Sequence, residues 1–255
     1  MKPLIEFKQI SYSYQSPDEC TNAIENLSFH VNKGEFISVI GPSGCGKSTL
    51  LSMIAGLIQP DSGSIEYSEE LYASHPIRPI GYMLQNDALF PFRSVYRNCI
   101  LGLEINHALT EENLTYTRSL LEEYGLMPFA DRRPTELSGG MRQRAALIRT
   151  LVLRPELLLL DEPFSSLDYQ TRLTVSDDIC SKIRSEGKTT ILVTHDLAEA
   201  ISLSDRVIVL TKRPATLRKE FLIRLTRDSE HRFSSREAPE FQSYFHSLWE
   251  ALYET

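Results

Sequence analysis

Residues 41–49 read Gly41-Pro42-Ser43-Gly44-Cys45-Gly46-Lys47-Ser48-Thr49. The mostly apolar run Glu35–Ile40 precedes them and predicts a buried strand, and apolar residues repeat at helical spacing from Leu50 to Ile58. A strand, a glycine-rich turn and a helix in this order predict a phosphate-binding loop, because glycines let backbone N–H groups approach phosphates and a helix N-terminus attracts negative charge. Lys47 is expected to reach the β- and γ-phosphates, and Ser48 to place its hydroxyl oxygen on Mg²⁺.

A second stretch, Leu157–Glu162, places four leucines directly ahead of two acids. The leucines predict a buried strand whose carboxyl end carries the acids, and open α/β sheets bind ligands at that end. Asp161 is expected to hold Mg²⁺ directly or through water. Glu162 is the candidate general base for an attacking water. A buried strand followed by two solvated acids explains the stretch equally well by itself, but the phosphate loop upstream favours a nucleotide site.

Strand and helix patterns alternate through the second half of the chain. The runs Leu157–Leu160, Thr189–Val193 and Val207–Leu210 predict strands, and the segments Leu173–Ile183 and Leu197–Leu203 between them predict helices. This alternation indicates a largely parallel sheet with helices on both faces.

The rest of the chain departs from that alternation. Residues 4–14 alternate like a strand, and 27–31 are expected to pair with them. The pattern from about 92 to 150 is helical, with Thr110 as a helix cap. Residues 226–238 are polar and predict a linker, and apolar residues then repeat at helical spacing behind Pro239.

Composition narrows the class of protein. The chain has 255 residues, 42% of them hydrophobic, and a net charge of −7, which argues against nucleic acid as a partner. Its four cysteines form no Cys-x-x-Cys pair, so a reducing compartment is expected rather than a disulfide or zinc framework. No apolar run approaches the roughly 18–20 residues of a membrane span, and the N-terminus has no signal-peptide pattern, so we expect a cytoplasmic protein.

A third stretch lies between the first two and reads Leu137-Ser138-Gly139-Gly140-Met141-Arg142-Gln143-Arg144. Ser138 offers a hydroxyl, and the glycines leave backbone N–H groups open at the start of a predicted helix, which suits a γ-phosphate. The phosphate loop already supplies a complete cradle. A second phosphate-binding surface therefore predicts that the chain meets another copy of itself across a nucleotide.

These three stretches resemble the motifs of the ATPase subunits of ABC transporters, and the resemblance covers nearly the whole chain. It implies an α/β fold: a P-loop NTPase (RecA-like) core with an N-terminal antiparallel β subdomain and an inserted α-helical subdomain at about 86–150. Residues 1–225 would form the ABC ATPase domain, and 226–255 a linker and an amphipathic helix. ATP hydrolysis is the implied activity, with ATP and Mg²⁺ as cofactors.

The resemblance also implies roles for single residues. Tyr14 matches the aromatic residue that stacks on adenine, and Gln85 the glutamine that contacts Mg²⁺ or the attacking water. Ser138–Gly140 match the signature motif that serves the partner's ATP. Asp168 belongs to a loop that signals across the dimer, and His195 matches a histidine that bonds the γ-phosphate. Lys47, Gln85, Glu162 and His195 are thus the implied catalytic residues.

Plainer explanations stay open for several of them. Tyr14 could be a half-buried strand tyrosine, with neighbouring Tyr12 in the adenine role instead. Gln85 could be an exposed residue at a strand end, Ser138 a helix cap with nothing bound, and His195 a structural histidine.

The implied partners are a second ATPase subunit in a homodimer, transmembrane permease subunits and, indirectly, an extracellular substrate-binding protein. Such a subunit lies at the cytoplasmic face of the membrane, held there by the permease. The segments Gln85–Val95 and Arg236–Leu252 resemble those of the nitrate, sulfonate and taurine importer group. In the family, the first of them borders a groove for a cytoplasmic helix of the permease. The alternatives are a non-transport ABC ATPase acting on nucleic acid or ribosomes, and a P-loop kinase or nucleotide-binding regulator.

Overall fold

Two β-sheets organise the computed structural model, which describes residues 2–17, 20–69, 71, 80–226 and 234–253. In these residues the strands are β1 (Ile5–Gln15), β2 (Cys20–Val31), β3 (Phe36–Ile40), β4 (Ser62–Tyr67), β5 (Ile80–Met83), β6 (Leu157–Asp161), β7 (Thr189–Val193), β8 (Arg206–Leu210) and β9 (Leu217–Leu222). The helices are α1 (Lys47–Ile54), α2 (Val95–Cys99), α3 (Leu101–Ile105), α4 (Glu111–Glu123), α5 (Gly139–Leu151), α6 (Tyr169–Ser185), α7 (Leu197–Leu203), α8 (Ser234–Glu237) and α9 (Phe241–Tyr253). Short 3₁₀ turns lie at Met127–Phe129 and Pro134–Glu136.

The larger sheet has the strand order β5-β6-β7-β3-β8-β9. Its first five strands run parallel, and β9 pairs antiparallel with β8. Strands β3, β6, β7 and β8 are buried along their whole length, as expected for apolar strands covered on both faces. The predicted parallel sheet is confirmed. Strand β9 was not predicted, because its central residues 218–220 are all charged and it lies at the sheet edge.

The smaller sheet is antiparallel, in the order β2-β1-β4. Ile5 pairs with Val31 on one side and with Tyr67 on the other, which confirms the predicted N-terminal antiparallel subdomain. Strand β4 was not predicted, because it begins with Ser62 and Gly63, residues that are typical of turns. Gly63 instead crosses close to β1 with φ +80°, where a Cβ atom would lie 2.4 Å from the carbonyl oxygen of Lys8. Only glycine fits there without strain.

Helices α2 to α5 form the predicted helical region. Thr110 caps α4 by accepting a hydrogen bond from the backbone of Asn113, as expected. Leu121 of α4 and Ala145 of α5 are buried in a core that also includes Leu158 and Leu160 of β6. The helical region therefore packs directly on the strand that carries the acids.

Helix α9 packs on the central sheet through Phe241 and Leu248, which are buried with Ile201 and Val207. Part of the predicted linker, residues 227–233, lies outside the described residues, and Ser234–Glu237 within it forms helix α8. The boundary at residue 225 stays a prediction. In the part of the chain that the structure describes, no helix has the length and apolar character needed to cross a membrane.

Candidate nucleotide-binding site

A cavity of about 410 Å³ lies beyond the carboxyl ends of β3, β6 and β7. It brings together predicted site residues that are far apart in sequence. The described residues that line it are Tyr14, Ala23, Ser43, Gly44, Gly46, Lys47, Ser48, Thr49, Gln85, Asp161, Glu162, Val193, His195 and Arg213. This is the sheet edge at which open α/β folds bind ligands.

The phosphate loop curls around the ammonium group of Lys47. Lys47 Nζ donates hydrogen bonds to the carbonyl oxygens of Gly41 at 2.7 Å and Pro42 at 3.0 Å, and the side chain is buried. Gly46 has φ +122°, and a Cβ atom there would lie 3.0 Å from the carbonyl oxygen of Ala23. The loop thus directs its backbone and its lysine at one point beside the N-terminus of α1, which suits an anion.

Cys45 lies beneath this loop and does not line the cavity. Its side chain is 1% exposed, and burial raises the pKa of its thiol. A Cβ atom on Gly41 would lie 2.8 Å from Cys45 Sγ, so the two residues fill the same space. Gly41 and Cys45 are therefore buried beneath the loop, whereas Ser43, Gly44 and Gly46 line the cavity; Pro42 is partly exposed and is not among the described lining residues.

Asp161 ends β6 and is buried. Burial is the main cause that raises the pKa of its carboxyl, and the charge of Glu162 acts in the same direction. A hydrogen bond with Ser48 and the charge of Lys47 oppose that rise. A carboxylate and a hydroxyl oxygen beside a phosphate loop are the donor set that Mg²⁺ prefers, so these residues fit the ion.

Glu162 turns its carboxylate toward two polar side chains. His195 Nδ1 lies 3.3 Å from Glu162 Oε1, and Gln85 Nε2 lies 3.4 Å from Glu162 Oε2. The backbone of Glu162 has φ +47°, which is uncommon for a residue with a side chain. Its N–H donates to the carbonyl oxygen of Val193 at 2.9 Å, which continues the β6–β7 pairing past the end of the strand.

Tyr14, rather than Tyr12, reaches the cavity. Its hydroxyl lies 2.9 Å from Thr49 Oγ1, and 48% of the residue is exposed. The Tyr12 ring meets that of Tyr14 edge-on at 5.0 Å and packs against the core of the small sheet. An exposed ring at the rim of the cavity suits stacking on a base.

Ser138–Gly140 and Asp168 are not among the described residues that line this cavity. Ser138 caps α5 by accepting a hydrogen bond from the N–H of Met141 at 3.3 Å. Asp168 caps α6 in the same way, accepting from the N–H of Thr171 at 3.0 Å. The two caps are close neighbours, because Gly140 packs so closely on Leu167 that a Cβ atom would lie 2.6 Å from Leu167 Cδ2.

Arg213 lines the cavity although no motif marked it. It follows β8, and the rule that ligands bind beyond the carboxyl ends of parallel strands is the signal that could have found it. Gln143 was also missed. Its buried amide donates to the carbonyl oxygen of Glu162 at 3.0 Å, a contact that no spacing in the sequence predicts.

Comparison with known proteins agrees with the family resemblance found in the sequence. Residues 24–165 match the family model described as ABC transporter. The chain is 46% identical to the "Uncharacterized ABC transporter ATP-binding protein YtlC" of Bacillus subtilis, covering 95% of this chain and 93% of that protein. It is 45% identical to the "Nitrate import ATP-binding protein NrtC" of Synechococcus elongatus, covering 76% of this chain but only 29% of that protein.

A solved structure supports the fold assignment. The dimeric structure of MJ0796, a bacterial ABC transporter cassette, superposes with a TM-score of 0.76 and 31% identity, covering 86% of this chain and 99% of that one. The fold and the site define a P-loop ATPase of the ATP-binding cassette class. The chain belongs to the ABC transporter family, as an ATP-binding subunit.

Proposed function

We propose that this chain hydrolyses ATP as one half of a homodimer that encloses two ATP molecules and drives a membrane permease. The cargo we propose is nitrate, a sulfonate, taurine or a similar small nutrient. One observation supports the proposed homodimer. The candidate side chains Lys47, Glu162 and His195 share one cavity, and the Ser138-capped start of α5 is not among the described residues that line it.

In a dimer, the start of α5 can bind the phosphate of an ATP held by the second chain. The N–H groups of Gly139 and Gly140 and the Ser138 hydroxyl form a phosphate cap at the start of α5. The cavity of the same chain already has Lys47 and the backbone of its own loop for this purpose. The relative MJ0796 is described as dimeric, also in a post-hydrolysis state bound to ADP and Pi. A dimer in which each Ser138 faces the partner's cavity uses both surfaces.

Within each cavity, the proposed chemistry rests on positioning. Glu162 accepts the proton of the attacking water, and His195 and Gln85 hold its carboxylate in place. Lys47 binds the γ-phosphate oxygens. We assign Ser48, Asp161 and Gln85 as the residues that hold Mg²⁺, which supplies neutralisation of phosphate charge when it is bound. Loss of the γ-phosphate removes charge-assisted contacts from both halves, so the dimer opens.

The segment Gln85–Val95 supports the permease as partner. Phe90 and Phe92 are 41% and 72% exposed, which offers apolar surface to a helix. The same segment is tied to α5, because Arg149 donates to the carbonyl oxygens of Asp87 and Ala88 at 2.7 Å. A permease helix that presses on Phe92 would thus move both Gln85 and α5. Binding to the permease would hold the subunit at the cytoplasmic face of the membrane.

The cargo rests on the similarity to a nitrate import protein and has a direct test. The extracellular binding protein that delivers cargo to the proposed permease should bind nitrate, a sulfonate or taurine in calorimetric titration. Co-expression of this chain with the proposed permease subunits should yield a complex that hydrolyses ATP faster when the loaded binding protein is added. A binding protein that takes only sugars or peptides would exclude the proposed cargo and leave the ATPase assignment intact.

A further inference from the structure

Gln143 joins the helix that begins at Ser138 to the loop that begins at Glu162. It lies on α5 and is 4% exposed. Its Nε2 donates to the carbonyl oxygen of Glu162 at 3.0 Å, and its Oε1 accepts from the N–H of Ser166 at 3.1 Å. Nε2 also lies 3.4 Å from Ser165 Oγ, so one side-chain amide contacts three positions of the loop between β6 and α6. A buried amide with both ends used in this way holds its partners firmly.

The contact matters because the backbone of Glu162 is strained. A φ of +47° at a residue with a side chain persists only where the surroundings impose it. The N–H of Glu162 donates to the carbonyl of Val193 in β7. Its carbonyl accepts from two donors: the N–H of Ser165 at 3.2 Å, within the same loop, and the amide of Gln143 at 3.0 Å, from α5. Together these bonds hold the backbone from which the Glu162 carboxylate points toward Gln85 and His195, and Gln143 is the donor that comes from outside the loop.

We propose that Gln143 is a positioning residue for ATP hydrolysis: it fixes the carboxylate of Glu162 in the catalytic direction and ties that direction to α5. This inference rests on the proposed function. In the proposed dimer, the start of α5 caps the partner's ATP, whereas Glu162 acts on the ATP of its own chain. The hydrogen bonds of Gln143 then connect, within one chain, the helix that caps the partner's ATP to the base that acts on the chain's own ATP.

Two substitutions separate positioning from folding. Gln143→Met keeps the length of the side chain and removes all three hydrogen bonds of the amide. Gln143→Glu keeps an acceptor for the N–H of Ser166 but places a carboxylate against the carbonyl of Glu162. The matched control is Thr150→Val on the same helix, because Thr150 is buried to a similar degree and its hydroxyl donates to the carbonyl of Ala146, at 3.1 Å, within α5.

Steady-state hydrolysis and equilibrium binding of ATP to the full chain are measured side by side. Both Gln143 variants should lower kcat about tenfold or more while the Kd for ATP changes less than about threefold, because only the transition state needs an aligned base. Thr150→Val should leave both constants near those of the wild type. Equal losses in kcat and ATP affinity, or an unchanged kcat in both Gln143 variants, would overturn the inference.

The decisive step repeats Gln143→Met in a chain that carries Glu162→Gln. If Gln143 acts through Glu162, single-turnover hydrolysis should fall by no more than about twofold beyond the Glu162→Gln level. A further tenfold loss would mean that Gln143 acts independently, which contradicts the proposal. Size-exclusion chromatography of the same samples in ATP and Mg²⁺ tests the dimer separately. Failure of the Glu162→Gln chain to dimerise would count against the proposed assembly. The comparison of hydrolysis rates would still decide the role of Gln143.

Discussion

His195 Nδ1 lies 3.3 Å from Glu162 Oε1, although the two residues follow different strands and are 33 positions apart. Gln85, from a third segment, approaches the other carboxylate oxygen. The candidate base is thus held from two sides by polar groups that leave it open to the cavity. A base in this geometry is oriented before substrate binds, which lowers the cost of reaching the transition state.

Glu162→Gln should leave ATP binding intact and nearly stop turnover. The amide keeps the size of the side chain and can still bond to His195, but it cannot accept a proton from water. Loss of a general base lowers rates by about 10²–10⁴-fold. The measurement is phosphate release alongside ATP binding, with size-exclusion chromatography to detect accumulating ATP-bound dimers. Hydrolysis at the wild-type rate would show that another group is the base.

Lys47→Ala should weaken nucleotide binding itself. The ammonium group is the buried cation of the phosphate loop and bonds to the carbonyl oxygens of Gly41 and Pro42. Its removal takes away both a charge for the phosphates and the bonds that shape the loop, so affinity should fall by about tenfold or more. Calorimetric titration with ATP checks this. Lys33→Ala, at an exposed residue away from the cavity, is the control and should bind ATP normally.

Ser138→Arg should leave a chain that binds ATP and does not hydrolyse it. The cavity does not include Ser138, so ATP binding by a single chain should be retained. In the proposed dimer, an arginine at the start of α5 would collide with the partner's phosphate site. Thr110→Arg is the matched control, because Thr110 caps α4 as Ser138 caps α5. If the Ser138 variant kept full ATPase activity, the dimeric active site would be wrong for this protein.

Motif spacing predicted the half of the site that lies on one sheet edge. Asp161 is the last residue of its strand, and Lys47, Glu162 and His195 come after strands. Parallel strands deliver their carboxyl ends to the same edge of the sheet. Gln143 could not be predicted, because its bonds to Glu162 and Ser166 depend on how α5 docks on the sheet. Docking is a matter of tertiary packing, which periodicity alone does not encode.

The missed strands have a similar explanation. β9 carries three charged residues in a row, and only its pairing with β8 makes it a strand. β4 begins at residues whose local preference is for a turn, and the crowded approach of Gly63 to β1 overrides that preference. In both cases, pairing with a neighbouring strand determines the structure, and the local sequence pattern does not reveal it.

The four thiols should react in an order set by burial. Cys20 is exposed, whereas Cys45, Cys99 and Cys180 are buried. Burial also raises the pKa of Cys45, which lowers the thiolate fraction that reacts. A maleimide followed by mass spectrometry should therefore label Cys20 first and without loss of ATPase activity.

Slow labelling of Cys45 should then inhibit, because the label cannot fit beneath the phosphate loop, and ATP should protect. The Cys20→Ser chain isolates this second phase, and Cys45→Ala should abolish the inhibition. Rapid labelling of Cys45 with retained activity would contradict the packing of the loop.

Glu199 should make the free energy of unfolding depend on pH. Its carboxyl lies on α7 and is 4% exposed, and burial raises its pKa from an ordinary 4.5 to about 7. The charge of Asp196 adds to the rise, and a hydrogen bond with Thr194 and the charges of Arg172 and His195 oppose it. Between those two pKa values the folded chain keeps a proton that the unfolded chain has lost. The contribution of Glu199 to the free energy of unfolding therefore falls by roughly 3 kcal/mol in total as the pH rises from about 4.5 to 7, and it stays at that lower value above pH 7.

Glu199→Gln should remove this dependence, because a neutral amide keeps the bond to Thr194 and never pays the cost of a buried charge. The free energy of unfolding is measured by urea denaturation at pH 5, 6, 7 and 8. The variant should be little more stable than the wild type at pH 5, and the difference should grow toward pH 8. Glu122→Gln on the exposed face of α4 is the control and should run parallel to the wild type at each pH. A difference between the wild type and Glu199→Gln that stays constant across the series would mean that Glu199 does not titrate in this window. In that case its role would be confined to the hydrogen bond with Thr194.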